Sequence, residues 1–240
     1  MSIHHALTAA IVALLSASIV PAAAATAAPR AKPSFDCRKA SAWAEEAICA
    51  DPVLARIDRQ IAERFDRLMK GFPRGAARDA LRTDQGAFLT ARDWVDESVD
   101  GDPKEWLLGW MLQRAEFLKR VKTRQDGLVG TWGNAWGEVE LRPREGGRYR
   151  LVGGVSEPFT GRWTCEIDQV SEPGGTVVAF APEDEERVPI VPRREGGVLF
   201  LDGFSSDGEN PSATFCGNLA TVERAFFLVG PISDAEPEDW

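Results

Sequence analysis

Two histidines, four cysteines and a few charged residues on apolar seams carry whatever chemistry this 240-residue chain can perform. The histidines, His4 and His5, lie in an N-terminal stretch that reads as a leader to be removed. Without them, Ser-His-Asp and Cys-His catalysis, imidazole-ligated zinc and a histidine pH switch are all excluded. Any catalysis would fall to carboxylates, Arg, Lys, the single Tyr149 or a metal held by oxygens. No such set stands out, so the chain is expected not to be an enzyme, and no cofactor or metal is expected. Cys37, Cys49, Cys165 and Cys216 form an even set without C-x-x-C spacing, which in an exported chain favours disulfides. Of the three possible connectivities, Cys37–Cys49 with Cys165–Cys216 keeps each bridge within one half of the chain. Twelve residues of straight helix would hold Cys37 and Cys49 about 18 Å apart, so that bridge requires residues 37–40 to fold back over a short helix starting near Ser41.

The leader spans residues 1–27. Residues 6–20 are apolar or small, Pro21 ends the run, and an Ala-rich cleavage zone follows. The run falls short of the about 20 residues that span a bilayer. A mature chain without membrane insertion, in a bacterial periplasm or secreted, is expected.

The remainder divides into a helical module, residues 36–125, and a strand module, residues 127–230, followed by an acidic tail, 231–240. Asp51-Pro52 and Asp102-Pro103 are helix starts, a capping carboxylate before Pro at the first helical position. Leu54, Ile57, Ile61, Phe65 and Leu68 recur at helical spacing until Gly71 and Pro73 stop the run. Leu81, Gln85, Phe88, Arg92, Val95 and Val99 define a third helix; Trp106, Trp110, Phe117 and Val121 define the last. An antiparallel helical bundle is expected. Beyond Gly127 the pattern becomes short alternating runs: 138–141, 148–152, 162–167, 176–180, 198–201 and 224–229. Gly146-Gly147, Gly174-Gly175 and Gly196-Gly197 supply hairpin turns. The fold class is therefore α+β, with the bundle followed by a small antiparallel β-barrel or sandwich, each half large enough for its own core.

Cys37-x-x-Ala40, Glu45, Ile48-Cys49, Asp51, Leu54 and Ile57-Asp58 resemble the start of the LprI-type lysozyme inhibitor domain. The family pattern continues here with Gln85, Phe88 and Arg92-Asp93, then Trp106-Leu107, Met111 and Arg114. The resemblance covers residues 36–122. Val95 and Trp106 stand where the family has a second cysteine pair, and Met111 stands at its Tyr position. It also implies a Cys37–Cys49 bridge and an inhibitor of lysozyme-type muramidases. Asp58, Arg92 and Arg114 lie on or beside apolar seams and are expected to form one structural ion-pair network across the bundle.

The strand module carries fainter likenesses. Gly130-Thr131-Trp132 with the late Arg224 is similar to lipocalin-type barrels, which implies a small-ligand carrier as the alternative function. Glu145-Gly146-Gly147-Arg148-Tyr149 is similar to the S-G-x-x-Y loop of periplasmic C-type lysozyme inhibitors, making Glu145 and Tyr149 candidate partner contacts. The acidic run Glu183, Asp184, Glu185 and Glu186 is a third candidate contact. Asp202, Asp207, Glu209 and Asn210 form another acidic loop, without EF-hand spacing. Glu166 and Asp168 share one strand face, as any i, i+2 pair does.

Net charge sharpens the partner class. Residues 30–126 hold 19 basic and 17 acidic side chains, whereas residues 127–240 hold 9 basic, all Arg, and 20 acidic. Such a strand module is a poor nucleic-acid binder and suits a cationic, lysozyme-like protein. An envelope scaffold or stress protein whose bundle docks a partner is the remaining expectation.

Overall fold

The structure is a computed structural model that describes residues 32–96, 99–124, 126–158, 161–171, 190–203, 216 and 224–232. The leader, the 176–180 run, both acidic loops beyond Gly203 and at 183–186, and the tail beyond Ile232 lie outside these residues. Four helices are followed by a curled antiparallel sheet of seven strands, so the α+β class with two modules holds.

A single 3-10 turn, Cys37–Lys39, folds back on α1 (Trp43–Ala50) and is bonded to it through Cys37–Cys49, with Cα atoms 5.9 Å apart. The Glu45 carboxylate accepts the Ser41 and Ala42 backbone N–H groups ahead of α1. Helix α2 (Pro52–Gly71) begins where Asp51 accepts from the Val53 and Leu54 N–H groups. Helix α4 (Pro103–Arg120) begins the same way at Asp102. Lys104 also pairs with Asp51, joining the two helix starts. Helix α3 (Ala76–Asp93) enters from Gly75, whose φ of 94° is open to glycine at no steric cost. It ends at Asp93, so Val95 and Val99 lie beyond the helix that their spacing suggested. Helices α2 and α3 each pack on α1 and α4.

The strands are β1 (Gly130–Gly133), β2 (Gly137–Pro143), β3 (Tyr149–Ser156), β4 (Thr164–Val170), β5 (Ile190–Glu195), β6 (Val198–Gly203) and β7 (Arg224–Gly230). They pair in the order β4-β3-β2-β1-β7-β6-β5. Gly153 faces Val139 so closely that a Cβ would come within 2.5 Å of the Glu138 carbonyl oxygen, and at Gly137 one would come within 2.2 Å of the Gly154 oxygen. These approaches let β2 and β3 coil tightly, and the sheet curls into a half-barrel. The small antiparallel β-module expected after the bundle is thus present, in the form of a half-barrel. Among the described residues there is one sheet, with β4 and β5 at its edges, and Cys216 bridges to Cys165 of β4 as an isolated antiparallel pair and as a disulfide.

Alternation along the strands sends each face to a different neighbour. Trp132, Val139, Leu141, Leu151, Ile167, Leu199, Phe226 and Leu228 fill the inner face and pack on one another. Val198, Phe227 and Val229 on the outer face belong to the helical core. Phe227 meets Phe72 at 5.7 Å and Phe117 at 6.4 Å between ring centroids, and the Lys122 N–H donates to the Leu228 carbonyl at 2.8 Å. The strand half keeps its inner-face core to itself, but the core of the helical half is shared, because the bundle buries the outer face of β6 and β7. No helix among the described residues is long and apolar enough to cross a membrane.

Four of the described carboxyls sit below their ordinary range, among them the exposed Asp36, which is lowered by its hydrogen bond with Arg38. Asp51 is lowered chiefly by its hydrogen bond with Lys104, Asp168 by that with Arg150, and Glu45 by the Ser41 N–H. A carboxyl with a lowered folded-state pKa adds stability above its unfolded pKa, near 4, and loses it as pH falls through the folded value. Thermal melts should therefore show a flat Tm from about pH 6 to 8, where few groups titrate, and a fall below about pH 4. Asp168→Asn should remove part of that acid sensitivity. A Tm that rises on acidification would contradict the assignment.

Candidate binding site

The charged residues on the bundle seams form two clusters and not one. Arg92 of α3 is buried; it pairs with Asp93 at 2.6 Å, Glu45 of α1 at 3.7 Å and Asp58 of α2 at 4.0 Å. Asp58 also accepts the Ser34 backbone N–H at 2.5 Å, which holds the chain ahead of the 3-10 turn against α2. Glu45, Asp58, Arg92 and Gln85 border a groove of about 330 Å³ between α2 and α3. Both acids that meet Arg92 across the helices are engaged in positioning backbone and neighbouring helices.

Arg114 does not join that network. It pairs with Asp84 of α3 at 2.7 Å, donates to Gln85 at 2.8 and 3.1 Å, and lies over the rings of Phe88 and Phe117 at 5.3 and 4.9 Å. Asp84 in turn accepts the Ala135 N–H at 2.6 Å, so one buried pair ties α3, α4 and the β1–β2 turn together. Asp84 was not among the residues singled out from the sequence. Its signal is positional: it stands three residues after Leu81 and four before Phe88, inside the apolar stripe of α3.

Beside this pair, α4 and the β1–β2 turn enclose a cleft of about 440 Å³. Trp110, Phe117 and Trp136 form its aromatic walls, with Gln113, Arg120 and Glu138 at the polar edge. Arg120 pairs with Glu138 at 3.1 Å across the helix–sheet junction. Trp110 stacks on Phe88 at 6.5 Å, and its buried indole N–H finds no acceptor among the described residues. The turn itself is shaped by Asn134, whose side chain accepts from the Trp136 and Gly137 N–H groups and donates to the Ala225 carbonyl.

Next to Trp136 lies Arg224, the first residue of β7. Its guanidinium carbon is 4.1 Å from the Trp136 ring centroid and 5.1 Å from that of Trp163. The Trp132 indole instead donates to the Leu128 carbonyl at 2.8 Å, so Arg224 is stacked on a different pair of indoles from the one in the G-x-W motif.

The remaining sequence candidates are dispersed. Glu145 is exposed on the β2–β3 turn, whereas Tyr149 is half-buried against the inner core. Glu183, Asp184, Glu185 and Glu186 fall outside the described residues. Asp168 is held by Arg150 at 2.5 Å on the side of β4 that Glu166 also faces. No group of three His, Cys, Asp or Glu residues comes together as a metal site among the described residues.

Compared with protein-family models, characterised proteins and solved structures, the chain has no match.

Proposed function

We propose that the chain is an exported, non-catalytic binding protein directed at lysozyme-type muramidases. The observation that carries this reading is the Cys37–Cys49 staple, with Glu45, Asp58 and Arg92 gathered at 3.7 and 4.0 Å beside it. These are residues of the LprI-type pattern, and here they bind one another across three helices. Two disulfides favour an oxidising compartment, which agrees with a leader over residues 1–27 and a periplasmic or secreted location. Glu45 and Asp58 of the α2–α3 groove serve as structural acceptors, which speaks for binding and against proton transfer.

The partner would be cationic. The strand module and its tail, residues 127–240, have 20 acidic against 9 basic side chains, and opposite charge accelerates encounter and sets its salt dependence. The aromatic cleft between α4 and the β1–β2 turn gives that encounter a desolvated centre of the kind that dominates interface energies. The carrier alternative draws less support: Trp132, Leu141, Leu151 and Phe226 on the inner face are fully buried and fill the half-barrel with side chains.

Full-length oxidised protein, assayed against c-, g- and i-type lysozymes at micromolar concentration and low salt, should slow turnover of at least one class. It should release no peptidoglycan fragments by itself. Undiminished turnover of all three classes would refute the proposal.

A further inference from the structure

Arg224 stands at one end of the half-barrel, on the inner-face alternation it shares with Phe226 and Leu228. Arg92, Arg114 and Arg150, the buried arginines, each have a carboxylate within 4.0 Å. Arg224 is half-buried and lies over the faces of Trp136 and Trp163; its Nε–H is buried without an acceptor among the described residues. Burial pushes its pKa below the ordinary arginine value, as expected of a cation stripped of water. Such a charge is costly to hold. The two indoles offset part of that cost through their π faces, but a π face accepts nothing from the planar N–H edge of the guanidinium, and the Nε–H has no partner among the described residues. That edge is a fork of donors suited to bidentate pairing with an oxyanion.

We propose that Arg224, flanked by Trp136 and Trp163, is the anchor of a site for the carboxylate of a small organic ligand. Trp136 is also a wall of the 440 Å³ cleft lined by Trp110 and Phe117, so an apolar body joined to that carboxylate has aromatic surface beside it. A singly charged carboxylate suits the position better than phosphate, because the surrounding module is strongly acidic and repels a dianion more. This site is independent of the muramidase reading and stands or falls without it.

The test is a titration of the full oxidised chain followed by ¹H–¹⁵N spectra of the Arg224 Nε–H and the indole N–H groups. Benzoate should shift the Arg224, Trp136 and Trp163 signals saturably, with a Kd of about 1 mM. Acetate should bind more weakly for lack of an apolar body, inorganic phosphate more weakly than benzoate, and benzyl alcohol not at all. Arg224→Lys, which keeps the charge but not the fork, should weaken benzoate about tenfold, and Arg224→Met should abolish binding. The proposal is overturned if benzoate up to about 50 mM leaves the wild-type signals in place. Tighter binding of phosphate than of benzoate, or an unchanged Kd in Arg224→Met, would also overturn it. Should either variant fail to fold, the wild-type series alone decides.

Discussion

Replacing Asp84 by Ala should destabilise the fold by about 3–5 kcal/mol, the cost of leaving a buried charge unpaired. Asp84 and Arg114 are each about 3% exposed in their side chains and lie 2.7 Å apart. Without Asp84, the Arg114 guanidinium keeps only Gln85 as an acceptor and remains enclosed by Phe88 and Phe117. The Ala135 N–H loses its acceptor as well, so the β1–β2 turn loosens from α3. A domain of ordinary stability, about 5–15 kcal/mol, would be left near its limit. Asp84→Asn should cost less, because an amide oxygen can still accept from Ala135. The double variant Asp84→Leu, Arg114→Met should recover much of the loss, since an apolar pair of similar volume avoids desolvating two charges. Urea unfolding followed by circular dichroism measures all three. An Asp84→Ala variant within about 1 kcal/mol of wild type would mean that the pair is not the clasp described.

Removing the Cys165–Cys216 bridge should cost about 4 kcal/mol, more than the about 3 kcal/mol expected for Cys37–Cys49, if loop-closure entropy dominates. The difference follows from sequence separations of 51 and 12 residues. Longer loops retain more freedom in the unfolded chain when the bond is absent. The first bridge also has a local role: Cys165 is about 1% exposed within the inner core and fastens the edge strand β4 to Cys216, which lies between β6 and β7 in sequence. Cys165→Ser, Cys216→Ser should therefore unfold at lower urea than Cys37→Ser, Cys49→Ser. The reverse order would show that local packing around each sulfur pair outweighs loop length.

The elements that punctuate themselves are the ones the sequence reveals. Asp51-Pro52 and Gly71 bracket α2 as expected, and Gly146-Gly147 and Gly196-Gly197 mark two hairpins at the turns where they were read. What escaped depends on partners that local pattern does not encode. In α4, the residues read as the bundle stripe were Trp106, Trp110, Phe117 and Val121. The fully buried face is Leu107, Met111, Ala115 and Leu118, while Trp106 is half exposed and Trp110 and Phe117 border the cleft. A helix packed by other helices on one side and by a sheet on another has no single apolar stripe to find. Strand β5 was missed because Pro192 interrupts its alternation; as an edge strand it tolerates a residue without an N–H. Asp84 was passed over because a carboxylate on a helix is ordinarily a solvated one. Only its tertiary partner, 30 residues away on α4, gives it a reason to be inside.

The site is legible to the same degree. Asp58 and Arg92 were recognisable on their seams, and they do face each other at 4.0 Å. Arg114 was assigned to their network because all three charges border apolar residues, a criterion that does not distinguish two pairs from one triad. The aromatic cleft was invisible beforehand, since it joins Phe88, Trp110 and Trp136, which come from α3, α4 and a β-turn.

Direct binding of the full, oxidised chain to cationic lysozymes, measured by isothermal titration at about 20 and 200 mM salt, tests the central claim most directly. The account predicts saturable binding to at least one class at micromolar protein, weakened at the higher salt because an acidic module meets a basic partner. Heat signals indistinguishable from dilution for every class at the lower salt would contradict it.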